Sequence, residues 1–204
     1  MLIGARTAAW GGGEKLPYDA EVEYIKSTGT QYISNFYTYT GDEQEVAIEI
    51  GVVFDTTKDY SYMLGMWQGL RGTNVAQVHK GLRMSSVGSS TRVVFFDIGK
   101  KYNLKLTWSK PDIMKVEGDL NGQITNDVSF SKNGLYLFNG NNLGSTYYAL
   151  QSIEYIRIIA DGEIVRDAKA VRKDGVGYLY DRVSDQLFGN AGTGEFIIGP
   201  DKAA

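Results

Sequence analysis

Val22-Glu-Tyr-Ile-Lys-Ser-Thr-Gly-Thr-Gln-Tyr-Ile33 decides how the rest of the chain is read. It holds two short strand-like runs, Val22–Ile25 and Gln31–Ile33, joined at Ser27-Thr28-Gly29-Thr30. Gly29 suits a tight turn, because glycine reaches positive φ without steric cost. Tyr24, Ile25, Tyr32 and Ile33 supply apolar contacts. Before this stretch lies an arm, Met1–Ala20, containing Trp10-Gly-Gly-Gly13 and lacking helical or strand periodicity. After it the chain reads as many short strands. The stretch therefore marks the start of the folded domain, and the C-terminal segment is expected to pack near it, with Val22–Ile25 close to Leu179–Phe188.

Downstream, the dominant period is two. In Gln44–Phe54, Val46, Ile48 and Ile50 face one way, and Glu45, Ala47 and Glu49 the other. Lys101–Trp108 alternates Tyr102, Leu104, Leu106 and Trp108 against Lys101, Asn103, Lys105 and Thr107. Such strands bury one face and solvate the other. Tyr60–Trp67, Val75–His79, Arg92–Ile98, Ile113–Glu117 and Gln123–Phe130 also read as strands. In Glu154–Ala160, Ile156 and Ile158 point inward. Asn121-Gly122 and Asp161-Gly162 predict two-residue type I′ hairpins, since both pairs tolerate positive φ. Asn133-Gly134 and Asn139-Gly140 bracket a short strand, Leu135–Phe138. Gly177–Asp181 and Gln186–Phe188 flank a turn at Arg182–Asp185, and a glycine-rich link leads to Phe196–Ile198. No stretch of about 12 residues carries a helical period. The expected fold is all-β: an antiparallel two-sheet β-sandwich or jelly roll. The expected division is an arm at 1–20, one domain at 21–200 and a tail at 201–204.

Composition narrows the function. The 204 residues carry a net charge of −3, so no basic surface for a phosphate backbone is expected, and nucleic acid is a poor partner. Cysteine is absent, which excludes disulfides, thiolate metal sites and cysteine nucleophiles. No run approaches about 20 apolar residues, so no membrane-spanning helix is expected.

Glu23-Tyr24-Ile25 with Ser27–Ile33 resembles the opening signature of concanavalin A-like (LamG-like jelly-roll) domains of gut bacteria and their phages. Leu135–Gly140 leading to Ile153–Ile158 is similar to that family too. So are Val165-Arg166-Asp167, Val171-Arg172, Gly177–Asp181 and Leu187-Phe188-Gly189-Asn190. The resemblance covers about Tyr18–Pro200. It implies two curved sheets able to hold glycans, found in bacterial surface modules or in phage structural, decoration or fibre-type proteins. An opening Met1-Leu-Ile-Gly-Ala-Arg-Thr with neither signal peptide nor lipoprotein cysteine fits the phage case better. The expectation is a non-enzymatic virion protein made in a host cytoplasm, with a lectin-like domain for host or mucosal glycans. Its arm would reach other virion subunits or a second copy through Leu2, Ile3 and Trp10. The alternative is a carbohydrate-binding module of a bacterial surface protein.

Catalytic chemistry is sparse. Glycanases of the same broad fold use a run of carboxylates on one strand, and the nearest match is Glu43-Gln-Glu45-Val-Ala-Ile-Glu49. Glu45 and Glu49 share a face but stand roughly 13 Å apart at ~3.3 Å per residue. Glycoside hydrolysis needs ~5–5.5 Å or ~6.5–9.5 Å. Glu43, beside Asp42, reads as a solvated charge at a strand edge. His79, the single histidine, has no flagged nucleophile near it. Asp119, Asn121, Asp127 and the Asn139–Asn142 loop are rich in oxygen, but turn chemistry accounts for them without calcium. No cofactor or metal site is expected. Glycan binding would use exposed rings and planar polar groups. Tyr60, Tyr62, Trp67, Arg71, Tyr147 and Tyr148 are the candidates, with His79 and Arg83 beside them, though core packing would account for any one of these aromatics.

Overall fold

A computed structural model describes residues 16–56, 61–65, 74–78, 81–86, 89–142 and 145–203. In chain order the strands are β1 (Ala20–Glu21), β2 (Ile25–Lys26), β3 (Ile33–Thr38), β4 (Glu45–Phe54), β5 (Ser61–Gly65), β6 (Asn74–Val78) and β7 (Gly81–Ser86). There follow β8 (Ser89–Phe95), β9 (Lys101–Ser109), β10 (Ile113–Gly118), β11 (Gly122–Thr125), β12 (Gly134–Leu137) and β13 (Asn139–Asn142). The chain ends with β14 (Ser145–Tyr148), β15 (Gln151–Ala160), β16 (Glu163–Lys173), β17 (Val176–Asp181), β18 (Gln186–Phe188) and β19 (Ile197–Ile198). Among the described residues there is no helix.

Two antiparallel sheets face each other. The larger has eleven strands, with the path β11-β10-β9-β4-β15-β16-β17-β18. The smaller has six, in the order β3-β12-β5-β6-β7-β8. Between them lies one apolar layer. Val46, Ile48 and Ile50 of β4, and Tyr102, Leu104, Leu106 and Trp108 of β9, are all buried, as alternation requires. So are Ile156 and Ile158 of β15. Rings fill the ends of the layer: Phe54 stacks on Phe96 at 4.1 Å, and Phe138 meets Phe196 at 5.1 Å.

Asp161-Gly162 forms the expected two-residue turn, with φ of 49° and 85° between paired Ala160 and Glu163. Asp174-Gly175 forms another between Lys173 and Val176, with φ of 51° and 79°. Asn121-Gly122 does not. Val116 pairs with Gly122, so the connection is longer, and the positive φ falls on Gly118. A Cβ there would sit 2.3 Å from the Asn103 carbonyl oxygen, so that bend is reserved for glycine. Asn139-Gly140 is no turn either; it opens β13, which pairs with β14. The run expected over Gln123–Phe130 keeps strand pairing only to Thr125.

The opening stretch is sewn into the C-terminal chain. Ile25–Lys26 pairs with β15 on one side and with Ile197–Ile198 on the other. Val22 bridges to Asp201. Its strand partners are thus β15 and the last strand, and β17, which holds Leu179, lies beside it without pairing: Ile25 lies against Gly177, where a Cβ would come within 2.9 Å of its Cγ2.

Candidate functional site

The outer face of the six-stranded sheet gathers aromatic and cationic side chains around small ones. In β12, Leu135 and Leu137 are buried, so Tyr136 between them faces out and is half-buried. In β5 a bulge turns both Met63 and Leu64 inward and leaves half-buried Tyr62 outside. Tyr62 pairs with Ala76, and Ala76 pairs with half-buried Arg83. At ~4.8 Å per strand, Tyr62 and Arg83 stand about 10 Å apart at Cα with only a methyl group between them. One row along, Tyr136 pairs with Gly65, which has no side chain at all. The result is a trough floored by Ala76 and Gly65 and flanked by Tyr62, Arg83 and Tyr136.

Tyr136 stacks on Tyr32, with ring centroids 5.9 Å apart and planes at 26°. Tyr32 is held by the opening motif. Thr28 N and Thr28 Oγ1 donate to Gln31 Oε1 at 2.8 and 3.0 Å, and Ser27 Oγ donates to the Gln31 carbonyl at 3.0 Å. Gln31 Nε2 in turn donates to the Thr193 carbonyl at 3.2 Å. Tyr32 N donates to Asn190 Oδ1 at 3.0 Å, and Ala191 N donates to the Tyr32 carbonyl at 2.8 Å. The polar residues of the motif therefore lock a turn onto the glycine-rich loop 189–194.

Of the expected ligand residues, Tyr62 stands in the trough, and Arg83 with it. The β13–β14 hairpin runs beside β5: Phe138 N donates to the Met63 carbonyl at 2.8 Å, and Ala149 N to the Phe138 carbonyl at 2.9 Å. This brings the backbone of Tyr147 and Tyr148 to the same region, while their side chains lie outside the described residues. Tyr60, Trp67, Arg71 and His79 lie outside them too, as do Leu2, Ile3 and Trp10 of the arm. Sequence reasoning missed Tyr32 and Tyr136. The alternation Leu135-Tyr136-Leu137 carried the signal for one of them.

Each carboxylate of the run on and before β4 is engaged by a neighbouring group. Glu43 is not solvated; it is 4% exposed. Its oxygens accept the Thr40 and Gly41 amides at 2.6 and 2.9 Å and the Tyr37 hydroxyl at 3.4 Å. A turn with unpaired amides needs such an acceptor, and that need overrides the preference of a carboxylate for water. Burial pushes the Glu43 carboxyl up, but the amide bonds from Thr40 and Gly41 bring it net below its ordinary value. Glu45 accepts the Ser109 hydroxyl, and Glu49 pairs with Arg157 at 3.2 Å. Two residues of the oxygen-rich turns serve the backbone. Asp119 accepts Asn103 N at 2.7 Å, and Asn121 donates to the Gly118 carbonyl at 3.1 Å. Among the described residues, no group of three or more His, Cys, Asp or Glu side chains is placed to hold a metal ion.

No protein-family model matches the chain, and no curated protein sequence matches it. Solved structures do. One is a protein of Bacteroides ovatus ATCC 8483 to which carbohydrate binding is provisionally ascribed (TM-score 0.65, 12% identity). The match covers 90% of this chain and 61% of that protein, so the chain spans about three fifths of its length. Another is the heptameric SAP-like pentraxin of Limulus polyphemus (TM-score 0.58, 10% identity), covering 90% of this chain and 98% of the pentraxin chain. At such identities the likeness is one of fold: an antiparallel jelly-roll sandwich.

Proposed function

We propose that this chain is a non-catalytic, lectin-like domain that binds a glycan on the outer face of its six-stranded sheet. The observation that carries the reading is the trough flanked by Tyr62, Arg83 and Tyr136 over Ala76 and Gly65. Pyranose rings present C–H groups to an aromatic face and hydroxyls to planar donors. Tyrosine rings beside a guanidinium, on a floor with almost no side chain, offer both. A rigid sheet also presents them without ordering a loop, which lowers the entropic cost of binding.

A glycan array with the purified protein, followed by calorimetry on the best binder, tests this. Tyr62→Ala and Tyr136→Ala are each expected to weaken binding about tenfold, the equivalent of ~1.4 kcal/mol. A glycan whose affinity neither substitution changes would place the site elsewhere, and an array with no binder would remove the reading. Fusion to a bacterial surface protein and display on a phage particle are both compatible with such a domain. The virion reading rests on the sequence resemblance and on the Met1–Ala20 arm. Its test is assembly: deleting Met1–Pro17 is expected to leave the domain folded and to abolish incorporation into an oligomer or particle. Assembly that persists without the arm would exclude that role for it.

A further inference from the structure

The opposite face of the sandwich holds a cavity of about 410 Å³, within the size range of small-molecule sites. We propose that it is a second binding site, and that it takes an acidic monosaccharide: a pyranose bearing one carboxylate.

The cavity is assembled from distant segments. Gly51 and Val53 of β4, Lys101 of β9 and Glu154 of β15 form it, with Tyr24 from the opening stretch and Lys202 from the tail. A β-bulge creates its central feature. The β4–β15 register shifts between Ile153 and Tyr155, so Glu154 is the extra residue and both Glu154 and Tyr155 face outward. Bulges re-aim side chains in this way. Gly51 opposite leaves the space they occupy, since a Cβ there would lie 2.7 Å from the Tyr155 ring and 3.2 Å from Glu154 Oε2.

Two ammonium groups flank the Glu154 carboxylate, Lys101 Nζ at 2.5 Å and Lys202 Nζ at 2.9 Å, one on each oxygen. Burial pushes the Glu154 carboxyl up, but the two lysines hold it net below its ordinary value, so it stays ionised. The three groups sum to one excess positive charge, which the exposed Glu23 of the same lining offsets, so the cavity as a whole is neutral. Each ammonium carries three donors, and Glu154 takes one from each. The spare donors, fixed on either side of one carboxylate, suit a second carboxylate from a ligand. A dianion would bring two negative charges into this neutral lining and face both Glu154 and Glu23, whereas a single carboxylate can be seated by the two ammonium groups alone. Tyr24 and Val53 supply an apolar wall for a sugar's C–H face. The Tyr24 ring lies against Gly199, where a Cβ would come within 2.9 Å of it.

The site is independent of the trough on the other sheet. Saturation-transfer NMR with glucuronic acid, methyl glucoside and acetate as probes tests it. Glucuronic acid is expected to bind at least about tenfold more tightly than either of the others. Lys202→Met, and separately Lys101→Met, are expected to weaken it by a similar factor, while Tyr62→Ala leaves it unchanged. Acetate binding as well as glucuronic acid, glucuronic acid that fails to bind, or glucuronic acid indifferent to both lysine substitutions would each overturn the proposal. Loss of glucuronic acid binding in Tyr62→Ala, with both lysine variants intact, would assign the sugar to the trough instead.

Discussion

Glu43 shows how one side chain ties stability to pH. It is buried with its oxygens satisfied, and the folded carboxyl titrates below its ordinary value. Its contribution is therefore present above the unfolded carboxylate value of ~4.3 and is lost as pH falls through the folded value. Tyr37 supplies the opposite limb. Burial first, then the Glu43 charge and hydrogen bond, push its phenol up to about 12. A raised folded value stabilises fully below the unfolded value of ~10 and is lost as pH rises through the folded one, on the order of 2 kcal/mol in all. Urea midpoints across pH should show a plateau between these limbs. Glu43→Gln is expected to lower the plateau by about 1–3 kcal/mol and to flatten the alkaline limb. An alkaline limb unchanged by the substitution would separate the two residues. Gly192 is a second residue under constraint, because a Cβ there would sit 2.0 Å from the Thr30 carbonyl oxygen. Gly192→Ala must push the closing loop off the opening turn, with an expected cost of about 1–3 kcal/mol in urea denaturation.

Among the elements, the large sheet's outer face carries a row of alternating charge: Arg182, Asp167, Arg157, Glu49, Lys105, Glu117. Arg182 pairs with Asp167, and Arg157 lies 3.4 Å from Asp167 and 3.2 Å from Glu49. Lys105 stands opposite Glu49, and Glu117 opposite Lys105. Single exposed pairs contribute little, but a like charge placed directly across strands opposes pairing. Glu49→Lys would set three cations in line, with an expected loss of about 1–2 kcal/mol at low salt. Near 1 M salt the screening length falls to ~3 Å, and most of that loss should disappear from the thermal midpoint. A salt-independent loss would point to packing instead. The central strands of this row, β4, β9 and β15, were legible in the sequence because each is long and buries one face, which imposes a period of two. The two-residue strand β1 was not, since Ala20–Glu21 carries no period, and β2 is displaced from the run expected at Val22–Ile25, sharing only Ile25 with it. The trough was only half legible. Alternation sends Tyr136 outward, but it would place Tyr62 beside buried Leu64; the bulge that turns Tyr62 out, and the pairing of β12 with β5, have no local signal.

At the scale of the molecule, the opening stretch around Glu21–Tyr24 and the closing stretch around Gly199–Lys202 lie against each other. Glu23 N donates to the Pro200 carbonyl, Gly199 N to the Tyr24 carbonyl, and Lys202 N to the Glu21 carbonyl, at 2.9, 2.9 and 2.8 Å. Phe196, 4% exposed, carries the last segment into the apolar layer against Phe138. The hydrogen-bonded partners are more than 150 residues apart in sequence, so these bonds form only when the whole sandwich has closed. Their loss should lower global stability without splitting the transition. Phe196→Ala is expected to cost about 3–5 kcal/mol, a large part of the ~5–15 kcal/mol that typically holds a domain folded. Ending the chain after Glu195 also removes the pairing of β19 with β2 and should cost more. Tryptophan fluorescence, to which the fully buried Trp108 contributes, and far-ultraviolet dichroism should still report one coincident urea transition, shifted to lower concentration. Two separated transitions would mean that the terminal lock is a unit of its own. An unchanged midpoint would mean that the lock shapes the Tyr24–Lys202 cavity without supporting the core.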